Sequence, residues 1–382
     1  GMRLLDSHYS IVQHRAIKGK KHILLLTPNL SSGGAERQLV TVAKLLKEEG
    51  IDIQIICYAK GDFYAHILEE ANIPVQWHIF SNYLFRLIGI RKIIRNSNFD
   101  AVISFLDTPN FLNNFAALGG KKWKVITGER SSNESKFSNF RGKLFAWFQR
   151  YSDFIVCNSE NAKGMWIREY PQYKKKLKTI YNTVELQEVT SLYLPKREGK
   201  THIVIAASYS YNKNPIGVVK ALSLLSCEDK FKIKIDWYGR KEVTRANTMA
   251  YDEAKSLISS YGLESVIMLH EEVKGIHDIM YQADFIGLFS KYEGMPNSIC
   301  EGMMLGKPII MTKVSDFTKL VDKTNGFLCD YDNTNSIREA FISAISLNES
   351  ILKEMGRNSK IKAEILFSRE QISKQWYDLI TT

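Results

Sequence analysis

The chain has 382 residues, 45% of them apolar and 24% charged, which is enough apolar material for two ordinary domains and too much for wholesale disorder. The formal net charge is +11, and it is uneven: residues 1–190 carry 27 Lys and Arg against 17 Asp and Glu, a net +10, whereas residues 191–382 carry 25 against 24. No apolar run approaches the roughly 18 residues of a membrane span, and no Cys/His cluster has zinc spacing.

Residues 1–21 lack the apolar centre of a signal peptide, and residues 1–20 read as a loosely held arm, with Gly1 before Met2 an expression remnant. Cys57, Cys157, Cys227, Cys300 and Cys329 are scattered and odd in number, the pattern of buried thiols in a reducing, cytoplasmic compartment. An apolar strand is expected at 22–27. Then come Gly33-Gly34, where backbone can approach a ligand at a helix start, and a helix over 37–49. Strands follow near 51–58, 74–79, 100–105, 122–127, 153–157 and 177–181. Helices are expected near 63–71, 83–95, 109–118, 138–151 and 159–169. Such alternation builds a parallel sheet covered on both faces.

Gly128-Glu129-Arg130-Ser131-Ser132 follows a strand end, where ligands collect in α/β sheets. Glu129 and Arg130 fit ligand contacts, on the acceptor side by the family resemblance described below, with Arg130 a candidate phosphate ligand, or a local ion pair. Residues 136–151 mix basic and aromatic side chains. They read as a core helix with a solvated basic face, the alternative being a helix lying on a membrane interface.

Residues 185–200 lack periodicity and read as the interdomain linker. A second alternation then begins: strand 202–207, helix from Pro215, strands 233–238, 265–269 and 285–289, with a helix over 252–261. Helices over 335–347, 350–365 and 369–380 close the chain.

The most informative stretch is 290–312, SKYEGMPNSICEGMMLGKPIIMT, read as loop, helix and strand. Pro296 suits a first helical position, and Gly306-Lys307-Pro308 a stop. Glu293 then lies ahead of the helix and Glu301 about five residues inside it, roughly 7–8 Å along the axis from its start. The free N–H groups of the first turn lie between them, a ready seat for a phosphate. One carboxylate on either side of a phosphate seat matches a nucleoside diphosphate sugar, which has sugar hydroxyls at one end and ribose hydroxyls at the other.

The same string resembles the E-x7-E motif of retaining glycosyltransferases of the GT-B fold, in particular family four. Gly33-Gly34-Ala35-Glu36-Arg37 resembles that family's opening loop. The resemblance implies two Rossmann-like α/β domains with parallel sheets facing across a cleft. Their boundaries would be 21–186 for the acceptor domain and 187–366 for the nucleotide-sugar domain, with 367–382 crossing back to the first. It implies that Glu301 binds the ribose, and that Glu293 with Gly294, Met295, Pro296, Asn297 and Ser298 holds the donor sugar and diphosphate. Lys213 resembles the family lysine on the donor phosphates, and Glu293 and Lys213 are the catalytic candidates. Gly33, Gly34, Gly239, Arg240 and His270 fall at further donor-side positions. His270 fits either stacking on a uracil or a plain loop residue.

The chain departs from the family at Ser208, where an Arg is usual, and Arg240 is a candidate replacement. Asp330-Tyr331-Asp332 spells a D-x-D but stands where relatives have only a turn, so no metal is expected there, nor any cofactor beyond the donor.

The expected activity is transfer of a sugar from a nucleotide sugar, with UDP the expected nucleotide, to a glycan or lipid-linked acceptor of cell-surface polysaccharide assembly. The alternatives are a sugar-nucleotide epimerase on the same scaffold and a degenerate, non-catalytic binding subunit. The basic first half suggests an anionic partner, either a phosphate-bearing acceptor or the inner face of a membrane contacted peripherally. Nucleic acid is not expected, because no RNA-binding aromatic motif or zinc finger is present.

Overall fold

A computed structural model describes residues 19–31, 33–244 and 246–382. The expected N-terminal arm falls almost wholly outside them. The chain divides into two compact units, residues 1–183 with 369–382, and residues 184–368.

Unit 1 runs β1 (His22–Thr27), α1 (Gly34–Glu48), β2 (Asp52–Cys57), α2 (Ala65–Glu70), β3 (Val75–Trp77), α3 (Tyr83–Arg95), β4 (Ala101–Ser104), α4 (Asp107–Ala116), β5 (Lys124–Glu129), α5 (Phe140–Phe148), β6 (Phe154–Cys157), α6 (Glu160–Glu169) and β7 (Leu177–Thr179). The seven strands are parallel in the order β3-β2-β1-β4-β5-β6-β7.

Unit 2 runs β8 (Thr201–Ala206), α7 (Pro215–Ser223), α8 (Cys227–Phe231), β9 (Ile233–Tyr238), α9 (Met249–Ser260), β10 (Ile267–His270), α10 (Ile276–Tyr281), β11 (Phe285–Leu288), α11 (Asn297–Met304), β12 (Ile309–Thr312), α12 (Phe317–Leu320), β13 (Gly326–Cys329), α13 (Thr334–Ile345) and α14 (Glu349–Phe367). Its six strands are parallel in the order β10-β9-β8-β11-β12-β13. Each unit is therefore Rossmann-like. Each has a switch point, β1/β4 and β8/β11, where the strand order reverses and a crevice opens at the carboxyl ends.

The strands are apolar throughout because both faces of each sheet are covered. In unit 1, Leu24, Leu26, Val102 and Val125 pack under α3 and α4. Ile23, Leu25 and Ile103 pack under α1 and the last helix, α15 (Arg369–Thr381). Trp376 of α15 is 2% exposed and lies 5.7 Å from the Phe105 ring, and Arg369 is ion-paired to Glu48 of α1 at 2.6 Å.

Local differences from the sequence reading have local causes. Helix α1 starts at Gly34 rather than Arg37, because extended Gly33 acts as its cap and Arg37 N–H already bonds Gly33 O. Pro296 is the residue before α11 rather than its first, at φ −78° and ψ 92°. The short helices α8, α10 and α12 and the strand β13 were not anticipated, since four to six residues give no measurable period. Cys227 is exposed rather than buried: it opens α8, which is capped by Ser226 Oγ accepting from Asp229 N–H at 3.1 Å. The other four cysteines are buried. No helix is long and apolar enough to cross a membrane among the described residues.

Candidate functional site

The loops leaving β8 and β11 flank the switch point of unit 2, and they are tied to each other. Asn212 does most of this: its C=O accepts from Lys291 N–H at 2.8 Å, its Oδ1 from Tyr292 N–H at 3.2 Å, and its Nδ2 donates to Tyr292 O at 3.1 Å. The loop after β8 is closed by Asn214 in the left-handed region (φ 65°), whose Oδ1 caps α7 through Gly217 N–H at 3.1 Å. Asn tolerates that conformation better than other non-glycine residues. The neighbour of this cap, Lys213, reaches across the crevice and forms an ion pair with Glu293 Oε1.

Glu293 is mostly covered, with 11% of its side chain exposed. Ser290 Oγ donates to its Oε1 at 2.6 Å, and Ser290 is itself fixed by Thr312 Oγ1 donating to its carbonyl at 2.7 Å. Ser315, at φ 54°, donates its hydroxyl to Gly294 O. Met295 and Pro296 are buried. The ladder of α11 begins with Ile299 and Cys300 N–H on Pro296 O, both at 3.1 Å. The N–H groups of Asn297 and Ser298 therefore precede it at the positive end of the helix.

Glu301 lies further along α11. His277 of α10, 6% exposed, places Nε2 3.0 Å from Glu301 Oε2. The other ring nitrogen, Nδ1, accepts from Gln187 N–H at 2.9 Å. That bond fixes the tautomer: Nδ1 is the acceptor, so Nε2 carries the proton and donates to the carboxylate.

At the far side of the crevice, Gly239 can only be glycine, since a Cβ there would lie 1.8 Å from Ala207 O. Arg240 is exposed, and its C=O accepts from Tyr209 N–H at 3.0 Å. His270 ends β10 and is not a plain loop residue. Its Nε2 lies 2.7 Å from Asp236 Oδ1, and its ring stacks on Tyr238 at 4.3 Å and 8°. Burial alone would raise the Asp236 carboxyl, but the His202 and His270 imidazoles outweigh it and hold the group below its ordinary range.

In unit 1, Gly33 and Gly34 stand at the end of the β1 loop, and a Cβ on Gly34 would meet open space. Glu129 and Arg130 do not pair with each other, because successive residues of an extended chain point to opposite faces. Both Glu129 oxygens lie 2.7 Å from Lys136 Nζ, which also reaches Asp107 at 3.1 Å. Burial pushes Glu129 up to about 7 despite Lys136. Arg130 turns the other way. Its guanidinium lies 3.9 Å over the Phe105 ring and Nη1 donates to Asn182 Oδ1 at 3.0 Å, while Nε and Nη2 are buried with no hydrogen-bond partner among the described residues. Burial lowers Arg130 to about 10.

Two family models cover the chain in succession: Glycosyltransferase Family 4 over residues 32–188 and Glycosyl transferases group 1 over residues 193–362. The chain belongs to the group 1 family of glycosyltransferases. This group 1 glycosyltransferase is 24% identical to the Campylobacter jejuni GalNAc-alpha-(1->4)-GalNAc-alpha-(1->3)-diNAcBac-PP-undecaprenol alpha-1,4-N-acetyl-D-galactosaminyltransferase, over 94% of this chain and 98% of that one. It is 21% identical to the N-acetylgalactosamine-N,N'-diacetylbacillosaminyl-diphospho-undecaprenol 4-alpha-N-acetylgalactosaminyltransferase of the same organism, over 91% and 95%. Among solved structures it resembles Anabaena Alr3699/HepE in complex with UDP, with a TM-score of 0.79 at 17% identity, covering 95% of this chain and 99% of that one. The fold is GT-B, two Rossmann-like units with parallel sheets.

Of the candidate residues in this glycosyltransferase, Lys213, Glu293 and Gly294 to Ser298 gather at one strand switch point, and Glu301 stands on the helix that leaves it. The Asp330-Tyr331-Asp332 string lies at a turn, with Asp330 facing Lys313 at 3.6 Å. Among the described residues no three His, Cys, Asp or Glu side chains are grouped as metal ligands. Sequence reasoning missed His277 and Asn212. His277 is carried by a six-residue helix without an apolar period, and Asn212 looks like any turn asparagine until its partner loop is in place.

Proposed function

We propose that unit 2 binds a UDP-sugar and that the enzyme transfers the sugar, with retention of its anomeric configuration, to a lipid-linked glycan in cell-surface glycan assembly. The observation that carries this reading is the joining of Lys213 and Glu293 across the β8/β11 switch point, with the open end of α11 beside them. Two similar transferases are named for undecaprenol-linked diphosphate substrates, and structures of similar fold hold UDP.

In this reading the diphosphate sits on the Asn297 and Ser298 N–H groups and draws the Lys213 ammonium, which it shares with Glu293. An ammonium about 4 Å from a phosphate gains roughly 4 kcal/mol at intermediate dielectric, before desolvation is counted. Glu301, held by His277, accepts from the ribose hydroxyls. Glu293 orients the sugar and supports positive charge as the bond from C1 to the diphosphate oxygen breaks. The acceptor hydroxyl adds to C1 on the same face, and its proton leaves on the departing UDP. Lys213 and the helix N–H groups offset the charge of that leaving group. In unit 1, Arg130 has two buried donor nitrogens with no hydrogen-bond partner among the described residues, suited to an anionic group of the acceptor.

The test is transfer from UDP-N-acetylhexosamine to a synthetic polyprenyl-diphosphate glycan, with the new linkage read by proton NMR in the presence of EDTA. An α-linked product from the α-linked donor, formed without added metal, is expected. An inverted linkage contradicts the mechanism. Conversion of the donor alone would point to an epimerase, and UDP binding with neither transfer nor hydrolysis to a binding subunit.

A further inference from the structure

Helices α3, α4 and α5 form one layer on unit 1, with α4 packed against both neighbours. The layer's inner side is core: Ile90, Ile94, Leu112 and Ala116 meet the sheet. Its outer side is also apolar, which is unusual for a surface. On α3, Leu84, Phe85 and Ile88 are 60, 56 and 54% exposed. They share one helical stripe with Lys92 and Arg95, so the stripe is apolar in its first turns and basic in its last. On α5 and the short turn that continues it, the positions i, i+3, i+7 and i+10 are Phe140, Lys143, Trp147 and Arg150, with Phe140 80% exposed and the Arg150 guanidinium 3.7 Å over the Trp147 ring. The Arg141 charge acts on Tyr83, so the starts of the two helices are neighbours.

Among the described residues, neither α3 nor α5 carries an acidic side chain. There is no Asp or Glu among residues 71–99 or 139–152, and Asp107 of α4 is already paired with Lys136 at 3.1 Å. A soluble protein partner would meet cations clustered over exposed aromatic rings with no balancing acids. An anionic bilayer matches both features: the rings and aliphatic groups enter the headgroup boundary, and each Lys or Arg near an anionic surface adds to the attraction.

We propose that the outer face of α3 and α5 is a peripheral binding surface for anionic phospholipid membrane. This deepens the lipid-linked-acceptor reading, and it rests on that reading for its purpose, since it brings unit 1 to the surface where such an acceptor resides.

The experiment is co-sedimentation of the full chain with vesicles of phosphatidylglycerol and phosphatidylcholine, against phosphatidylcholine alone. Binding to the anionic vesicles only, weakened by salt, is expected. The triple variant Leu84→Glu/Phe85→Glu/Ile88→Glu should lose about tenfold or more in vesicle affinity. The double variant Lys92→Glu/Lys143→Glu, which disturbs no apolar packing, should lose a similar factor and serves if the triple variant misfolds. Phe231→Glu, on the exposed face of α8 in unit 2, should bind like wild type. Wild type that ignores anionic vesicles, or variants that bind as wild type does, would overturn the proposal. So would a wild-type dimer that the triple variant dissociates, since a second copy would then cover the face. UDP binding is measured on the same preparations. Retained UDP binding without vesicle binding sinks only the membrane surface, and vesicle binding without UDP binding sinks the transferase reading instead.

Discussion

His277 touches no part of the proposed donor directly, yet it sets the Glu301 carboxylate proposed to hold the ribose. A hydrogen bond to a charged group contributes about 1.5–3 kcal/mol. His277→Ala should therefore raise the donor KM roughly 10- to 100-fold and leave the acceptor KM unchanged. It should also blunt the preference for UDP over 2′,3′-dideoxy-UDP, which a purely structural defect would not change. Steady-state kinetics with both nucleotides as inhibitors read this, and equal loss for the two would contradict it. Lys213→Ala separates phosphate from base. UDP should weaken by at least about tenfold, given the roughly 4 kcal/mol gross attraction, while uridine stays near its wild-type affinity; equal losses would take Lys213 off the phosphates. Of these residues Glu293 and Glu301 stood out in the sequence because their neighbours Pro296, Gly306 and Pro308 punctuate a helix, and Lys213 because it resembles the family lysine on the donor phosphates. His277 did not, since its meaning depends on Gln187 and Glu301, each far from it in the chain.

At the scale of elements, the parallel strands were legible because burial on both faces makes them continuous apolar runs such as Ile-Leu-Leu-Leu in β1. Short helices were not: α8 rests on its Ser226 cap, and α10 is only six residues long, so neither shows a period. Lys307 shows a further limit. In the sequence it is only part of the stop after α11, yet it is 2% exposed, its ammonium 3.3 Å over Tyr193 and 4.8 Å over Tyr281. Burial lowers it to about 7, against the attraction of Asp284. The sign follows from proton counts: between about 7 and the ordinary lysine value near 10.4, the unfolded chain holds a proton that the folded one lacks, so stability rises with pH there. Lys307→Met removes that dependence. Urea unfolding at pH 7 and pH 9 should show wild type gaining on the variant as pH rises, and a constant difference would mean that Lys307 stays charged when folded.

For the whole molecule, the sequence showed two α/β repeats and a surplus of positive charge in the first half. What it could not show is which residues carry that charge outward beside apolar groups, since exposure of Leu84 or Phe140 is a property of the packed helical layer. The chain's last helix is a second whole-molecule feature, because α15 completes the core of unit 1 from the far end of the chain. Trp376→Ala should cost about 3–5 kcal/mol, all of it in unit 1. Scanning calorimetry with and without UDP distinguishes the units: the transition that UDP raises belongs to unit 2 and should not move in the variant, while the other falls. A drop in the UDP-sensitive transition would contradict this assignment.

In the proposed donor complex Lys213, Glu293 and Glu301 surround one sugar-bearing diphosphate at the β8/β11 switch point. The decisive experiment is calorimetric titration of UDP into Glu301→Ala, with its fold checked by circular dichroism. Binding that is measurable in wild type should disappear; UDP affinity equal to wild type in the folded variant would rule this arrangement out.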